Sequence, residues 1–302
     1  MTEIPLEQSA PQTTSETRPF YWAVRREIWE NRSIYVAPLV VTAIVMFGSF
    51  ISAVMLPHRI GHILALDAAK QREAFSRSYG FAAFMPIMTA FLVGVFYSLD
   101  ALYGERRDRS ILFWKSLPVS DRTTVLSKAS IPMVVLPLLI YPLIVMTQFI
   151  TLMLSTLFLL GNGPGIAALW TNVQFAQSTI ALLYGVIVIA LWHAPIYAWF
   201  LLVSAWARRA PLLWAVLPAL VAAAFERGAF GTNHLFTLLG HRLTGWFMQA
   251  FIDHEHGGNP ADPLESLTPG KFLATPGLWI GLAFTAACLA AAVRLRRNRE
   301  PI

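Results

Sequence analysis

Residues Tyr35–Leu56 read YVAPLVVTAIVMFGSFISAVML, twenty-two positions without a charged side chain. A helix rises 1.5 Å per residue, so about 20 apolar residues cross the roughly 30 Å hydrocarbon layer of a bilayer. This run is long enough to do so, and the chain around it has the matching bias. Of its 302 residues 56% are hydrophobic and only 13% charged, against about a quarter charged in a soluble domain. The mean hydropathy is +0.56. The sequence therefore predicts an integral membrane protein rather than a soluble enzyme.

Working outward, residues 1–17 are polar and aperiodic and are expected to form a disordered tail. No basic n-region leads directly into an apolar h-region, so no signal peptide is expected. From Arg18 to Ser33 a helix is expected, with Phe20, Tyr21, Val24 and Ile28 on one face and Arg26, Glu27 and Glu30 elsewhere. Aromatics beside arginines suit a helix lying at a membrane surface. The predicted spans are 35–56, 81–102, 131–160, 178–207, 211–230 and 275–293, within a single transmembrane domain over 18–302. Residues 57–80 read as an exposed helix, 161–165 (GNGPG) as a turn and 166–177 as a short link. Pro132, Pro137 and Pro142 should bend the third span, because each removes a backbone donor. The fifth run is clear only to Phe225 and completes a crossing only if it continues to Phe230. A loop follows over 231–274. The expected fold class is an all-α membrane protein of six transmembrane helices, with an N-terminal interfacial helix and a cytoplasmic coupling helix.

Orientation follows from the basic residues. With the N-terminus cytoplasmic, sixteen Lys and Arg fall inside and seven outside. Basic residues mark cytoplasmic loops, so both termini are expected inside and 231–274 outside. The net charge of +6 then needs no nucleic-acid partner.

The candidate chemistry is sparse. Asp253-His254-Glu255-His256 holds metal-ligand types, but it sits in the outer loop and reads more simply as a solvated segment. His58 and His62 share a helix face, without the glutamate a zinc protease needs. His193 lies inside the fourth span, where a neutral ring bonded to a neighbouring helix is the expectation. Cys288, the single cysteine, excludes an intrachain disulfide and reads as packing. No phosphate-binding loop is present: Pro269-Gly270-Lys271-Phe272 lacks the glycine spacing and the hydroxyl that would hold magnesium. No catalytic or metal residue and no cofactor is assigned to this chain.

The most informative charged stretch is Leu99–Ser130, LDALYGERRDRSILFWKSLPVSDRTTVLSKAS, an island between two apolar runs. One helical piece is expected over Ser110–Leu117, stopped by Pro118. A second is expected through Lys128, capped by Ser120 or Asp121. A short capped helix between two spans is a surface for a partner. This stretch resembles the cytoplasmic region of type-2 ABC exporter permeases. In that family a glutamate-arginine pair leads to an "lLxSLPvSr" segment and a lysine opening the third span. The corresponding residues are Glu105-Arg106, Leu112 to Arg122, and Lys128. The resemblance implies a permease subunit that pairs with a second permease subunit and with two copies of an ABC ATPase, in a bacterial inner membrane. ATP and magnesium would sit on the ATPase. It also implies docking through Ser116, Leu117, Pro118, Val119, Ser120, Asp121 and Arg122, with Glu105, Arg106, Arg107 and Lys128 as supporting charges. Two readings of other classes stay open: an ion-coupled transporter, and a membrane metalloenzyme or sensor using the outer His/Asp/Glu loop.

Overall fold

The computed structural model describes residues 18–110, 119–251, 263–264 and 266–298. Among these every regular element is helical, and six helices are long and apolar enough to cross a membrane. The chain is a multi-pass, all-α membrane protein. Helix α1 covers Pro19–Glu30 and α2 covers Ser33–Leu64. After a break at Ala65–Asp67 comes α3, Ala68–Asp100, with Asp67 accepting from the Lys70 amide at its start. A short α4 spans Tyr103–Arg107, and α5 spans Asp121–Ser130. Directly after α5 the backbone makes a π-helical turn, Ile131–Val135, and continues as α6, Leu136–Phe158. Helix α7 (Gly163–Val173) runs into α8 (Phe175–Trp206) through Gln174, which adopts a left-handed conformation with φ 44°. The remainder is α9 (Pro211–Phe230), α10 (His234–Ala250), α11 (Pro269–Ala274) and α12 (Pro276–Asn298).

In lipid the apolar effect no longer drives helices together, so close packing and satisfied polar groups must. The fourth span is the centre of the bundle: 56% of its most apolar window is buried, against 11% for the fifth, which lies at the edge. One core joins Ile34 of α2, Ala90 and Tyr97 of α3, Ile131 of the π turn and Ile140 and Ile144 of α6, with Val24 and Ile28 of α1 against it. Another joins Val188 and Trp192 of α8 to Ala250, Phe272 and Leu278. Gly94 shows how tight the middle is. A Cβ there would sit 2.9 Å from the Tyr197 ring and 3.1 Å from Pro132, so α3, α8 and the π turn meet on a bare glycine.

Several expectations are corrected by these elements. The segment 57–80 is not one exposed helix: α2 and α3 both extend into it and meet at a turn. At 1.5 Å per residue the 32 residues of α2 measure about 48 Å, well beyond a hydrocarbon layer. Residues 163–173 form α7 rather than a link. The loop 231–274 contains α10, which packs on the middle of α8 through Trp246 and Ala250 while most of its other side chains stay exposed. The fifth run reaches Phe230. Of the three prolines in the third span, Pro132 lies in the π turn, where a wider turn accommodates its missing donor, while Pro137 opens α6 and Pro142 lies inside it.

Candidate functional site

Four parts of the chain converge at one end of the bundle: α1, the α3–α4 junction, α5 and the last turns of α12. What joins them is charge. Lys128 is 3% exposed, and its ammonium lies 2.9 Å from Glu27 Oε1 and 3.1 Å from Glu105 Oε1. Arg26 reaches Glu27 at 2.7 Å and Glu105 at 3.6 Å. Tyr97 donates its hydroxyl to the other Glu27 oxygen at 2.8 Å. From α12, Arg296 pairs with Glu105 through one nitrogen and with Asp121 at 3.1 Å through another. Acids and bases alternate, so no buried charge is left uncompensated within this set. That balance is needed, because a lone buried ion costs several kcal/mol.

Glu27 shows the balance directly. Burial pushes its carboxyl up, but Lys128, with Arg26 and Tyr97 donating to it, outweighs burial and holds it below the ordinary carboxylate range. Glu30, at the edge of the network, is pushed up instead, chiefly by burial. A second clamp fixes α4 to the end of α8. Ser204 Oγ accepts from the amides of Leu102 and Tyr103 at 3.0 and 2.8 Å, satisfying free donors at the start of α4. In return, the Arg106 guanidinium donates to the carbonyls of Ser204 and Ala207 at 2.9 and 2.5 Å, two acceptors the end of α8 leaves free.

The predicted site residues divide clearly. Ser116, Leu117 and Pro118 lie outside the described residues, as do most of the expected helix Ser110–Leu117, the tail 1–17 and Asp253–His256. Ser120 is the cap of α5: its hydroxyl accepts from the Thr123 amide at 3.1 Å. Ser120 and Arg122 are exposed, Val119 and Asp121 half-buried, and Asp121 is engaged by Arg296. Among the supporting charges, Glu105, Arg106 and Lys128 are buried and bonded within the chain. Only Arg107 faces out, paired with Asp108 at 3.0 Å. Sequence reasoning missed Glu27, Arg26, Arg296 and Tyr97 as members of the same cluster.

The expected face of α1 divides: Val24 and Ile28 pack against the core, while Phe20 and Tyr21 are exposed. Glu27 is the buried residue, while Tyr21, Trp22 and Trp29 are exposed, and Arg25 lies 4.4 Å from the Trp29 ring centroid and 5.2 Å from that of Trp22. Elsewhere, His193 meets the expectation of a bonded histidine: Nδ1 lies 3.0 Å from the Ile189 carbonyl oxygen and Nε2 3.2 Å from that of Leu243 on α10. Trp192, fully buried, donates to the Arg242 carbonyl at 3.0 Å, and the Arg242 guanidinium stacks over its ring at 4.7 Å. Cys288 is buried, as a packing residue should be. No group of three or more metal-ligand types converges among the described residues. No protein-family model, curated protein or solved structure matches this chain.

Proposed function

We propose that this chain is the transmembrane permease subunit of an ATP-binding-cassette exporter, coupled to a separate ATPase through the segment between α4 and α5. The observation that carries the reading is the continuity of α5, the π turn and α6 over Asp121–Phe158, anchored at its charged end by the buried Lys128. A displacement of the corner that carries the exposed Ser120 and Arg122 is thereby passed into a membrane span rather than dissipated in a flexible loop. The buried charges are not docking residues in this reading. Glu105, Arg106 and Lys128 hold the platform, and Val119, Ser120, Arg122 and the preceding residues 116–118 present it. The excess of Lys and Arg at this end supports a cytoplasmic position for it. The exposed aromatics of α1 fit a helix at the membrane interface, with a second permease subunit completing the pathway. An ion-coupled carrier fits less well, because the buried acids at this end already have cations bonded to them.

The test is co-purification from native membranes. Deleting 116–122, or making the milder exchange Arg122→Glu, should remove a co-purifying ATPase and its ATP hydrolysis while the chain still inserts. An ATPase that remains bound to both variants sinks the docking assignment.

A further inference from the structure

Helix α1 presents two unlike faces. On one, Glu27 is buried against Lys128 of α5, and Val24 and Ile28 pack on the core that Ile34 and Tyr97 share. On the other, Trp22, Arg25 and Trp29 form a single stripe with both indoles exposed. At 3.6 residues per turn these three fall within an arc of roughly 60°, on the side away from Glu27. Arg18 and Arg32 flank the stripe, so that arginine and tryptophan alternate over Arg18, Trp22, Arg25, Trp29 and Arg32 at spacings of four, three, four and three.

The protein itself does not neutralise this stripe. Arg18, Arg25 and Arg32 make no ion pair among the described residues. The acids of α1 are engaged elsewhere: Glu27 by Lys128 and Arg26, and Glu30 by Arg26 at 3.6 Å. Nor is Arg25 an ordinary solvated cation. It is half-buried, with an indole on either side along the helix shielding part of the guanidinium from water, while its N–H fork has no carboxylate.

The neighbouring chain indicates what meets the stripe. Asn31 and Arg32 alone separate α1 from α2, and α2 exposes Val36, Leu39 and Val40 in its first turns, as a span entering lipid does. Indoles settle at the edge of the hydrocarbon layer, where lipid phosphates also lie. A guanidinium fork matches a phosphate, and a row of cations favours lipids of net negative charge.

We propose that this face of α1 is a docking surface for anionic phospholipid, with the phosphate on the Arg25 fork, Trp22 and Trp29 set in the headgroup layer, and Arg18 and Arg32 adding attraction at the two ends. The inference rests on the interfacial placement of α1 given above and not on the ATPase, since no partner chain takes part.

The experiment places a fluorophore on Tyr21→Cys, beside the stripe, in a Cys288→Ala background, with the full-length protein in phosphatidylcholine nanodiscs. These carry graded fractions of phosphatidylglycerol or phosphatidylcholine bearing a nitroxide quencher near the headgroup. Half-quenching should need at least about fivefold less of the phosphatidylglycerol quencher. Arg25→Gln should bring the two quenchers within about twofold of each other. Trp22→Leu with Trp29→Leu keeps every charge and should lower the preference about threefold. Arg208→Gln removes an equal, exposed charge outside α1 and should leave the preference unchanged. Equal quenching by the two lipids, a preference that survives Arg25→Gln, or an Arg208→Gln loss equal to that of Arg25→Gln overturns the proposal. A preference untouched by the double tryptophan variant overturns the part given to the indoles. Quenching by neither lipid overturns the interfacial placement itself, because the stripe would then face water or another protein.

Discussion

Glu27 and Lys128 are 101 positions apart, and their 2.9 Å contact decides how α1 is held. Breaking a buried pair from one side leaves the other charge stranded, at a cost of about 3–5 kcal/mol. Lys128→Met and Glu27→Gln should therefore each lower the thermal midpoint of the purified protein. The double variant should lose less than the two losses added, because neither charge is then left without its partner. Additive losses in that cycle would mean the two residues act separately. Acid should act on the same contact. The carboxyl of Glu27 is depressed in the folded protein, so its contribution is complete above the ordinary value of 4.5 and is lost as pH falls through the lower folded value. Glu30, raised by burial, works in the opposite sense: its contribution is present in acid and lost as pH rises. A fluorophore on Trp29→Cys in a Cys288→Ala background should report release of α1 only below about pH 4.5, and Glu27→Gln should remove that transition. None of this pairing was legible in the sequence. The helical pattern of 18–33 showed where Glu27 falls on its own helix, but nothing local records a partner in α5 or a third member, Arg296, near the far end of the chain.

The capped start of α5 was legible because capping is local: Ser120 follows the proline and precedes acidic and helix-forming residues, and the hydroxyl does accept from Thr123. Helix α10 was hidden by composition. Gly240 and Gly245 interrupt a segment that carries His241 and Arg242, so no continuous apolar run marks it. The spacing of Leu235, Leu239, Leu243 and Trp246 was the available signal, and it is helical rather than span-like. The π turn was half-legible, since Pro132 forecast an irregularity but not its kind. Packing around that turn is strict. Gly94→Val should displace the Tyr197 ring and Pro132 and destabilise the protein by about 1–3 kcal/mol, the usual range for overpacking. Combining it with Tyr197→Leu, which vacates the ring position, should recover part of the loss in thermal midpoint. A Gly94→Val protein with an unchanged midpoint would show that α3 and α8 are not in contact there.

Across the whole molecule, an even number of spans is what lets α1 and the end of α12 share one charge network, since an odd number would carry the two ends to opposite sides. Charge counting predicted that arrangement from composition alone. Its assignment to the cytoplasm is testable with cysteines in the Cys288→Ala background. Arg122→Cys and Arg208→Cys should react with a membrane-impermeant maleimide only in inside-out vesicles, and Arg59→Cys only in right-side-out ones. Labelling of Arg59 and Arg122 from the same side would overturn the topology. The π turn between α5 and α6 gives this layout a further property. A π turn holds one more residue than the α-helical turn it replaces. Were Ile131–Val135 to return to α-helical bonding, α5 would rotate about the common axis by roughly 100° and advance by about 1.5 Å relative to α6. Lys128 would swing off Glu27 in the same motion. Such a conversion would tie an axial step of about 1.5 Å to a rotation of roughly 100° within one helix.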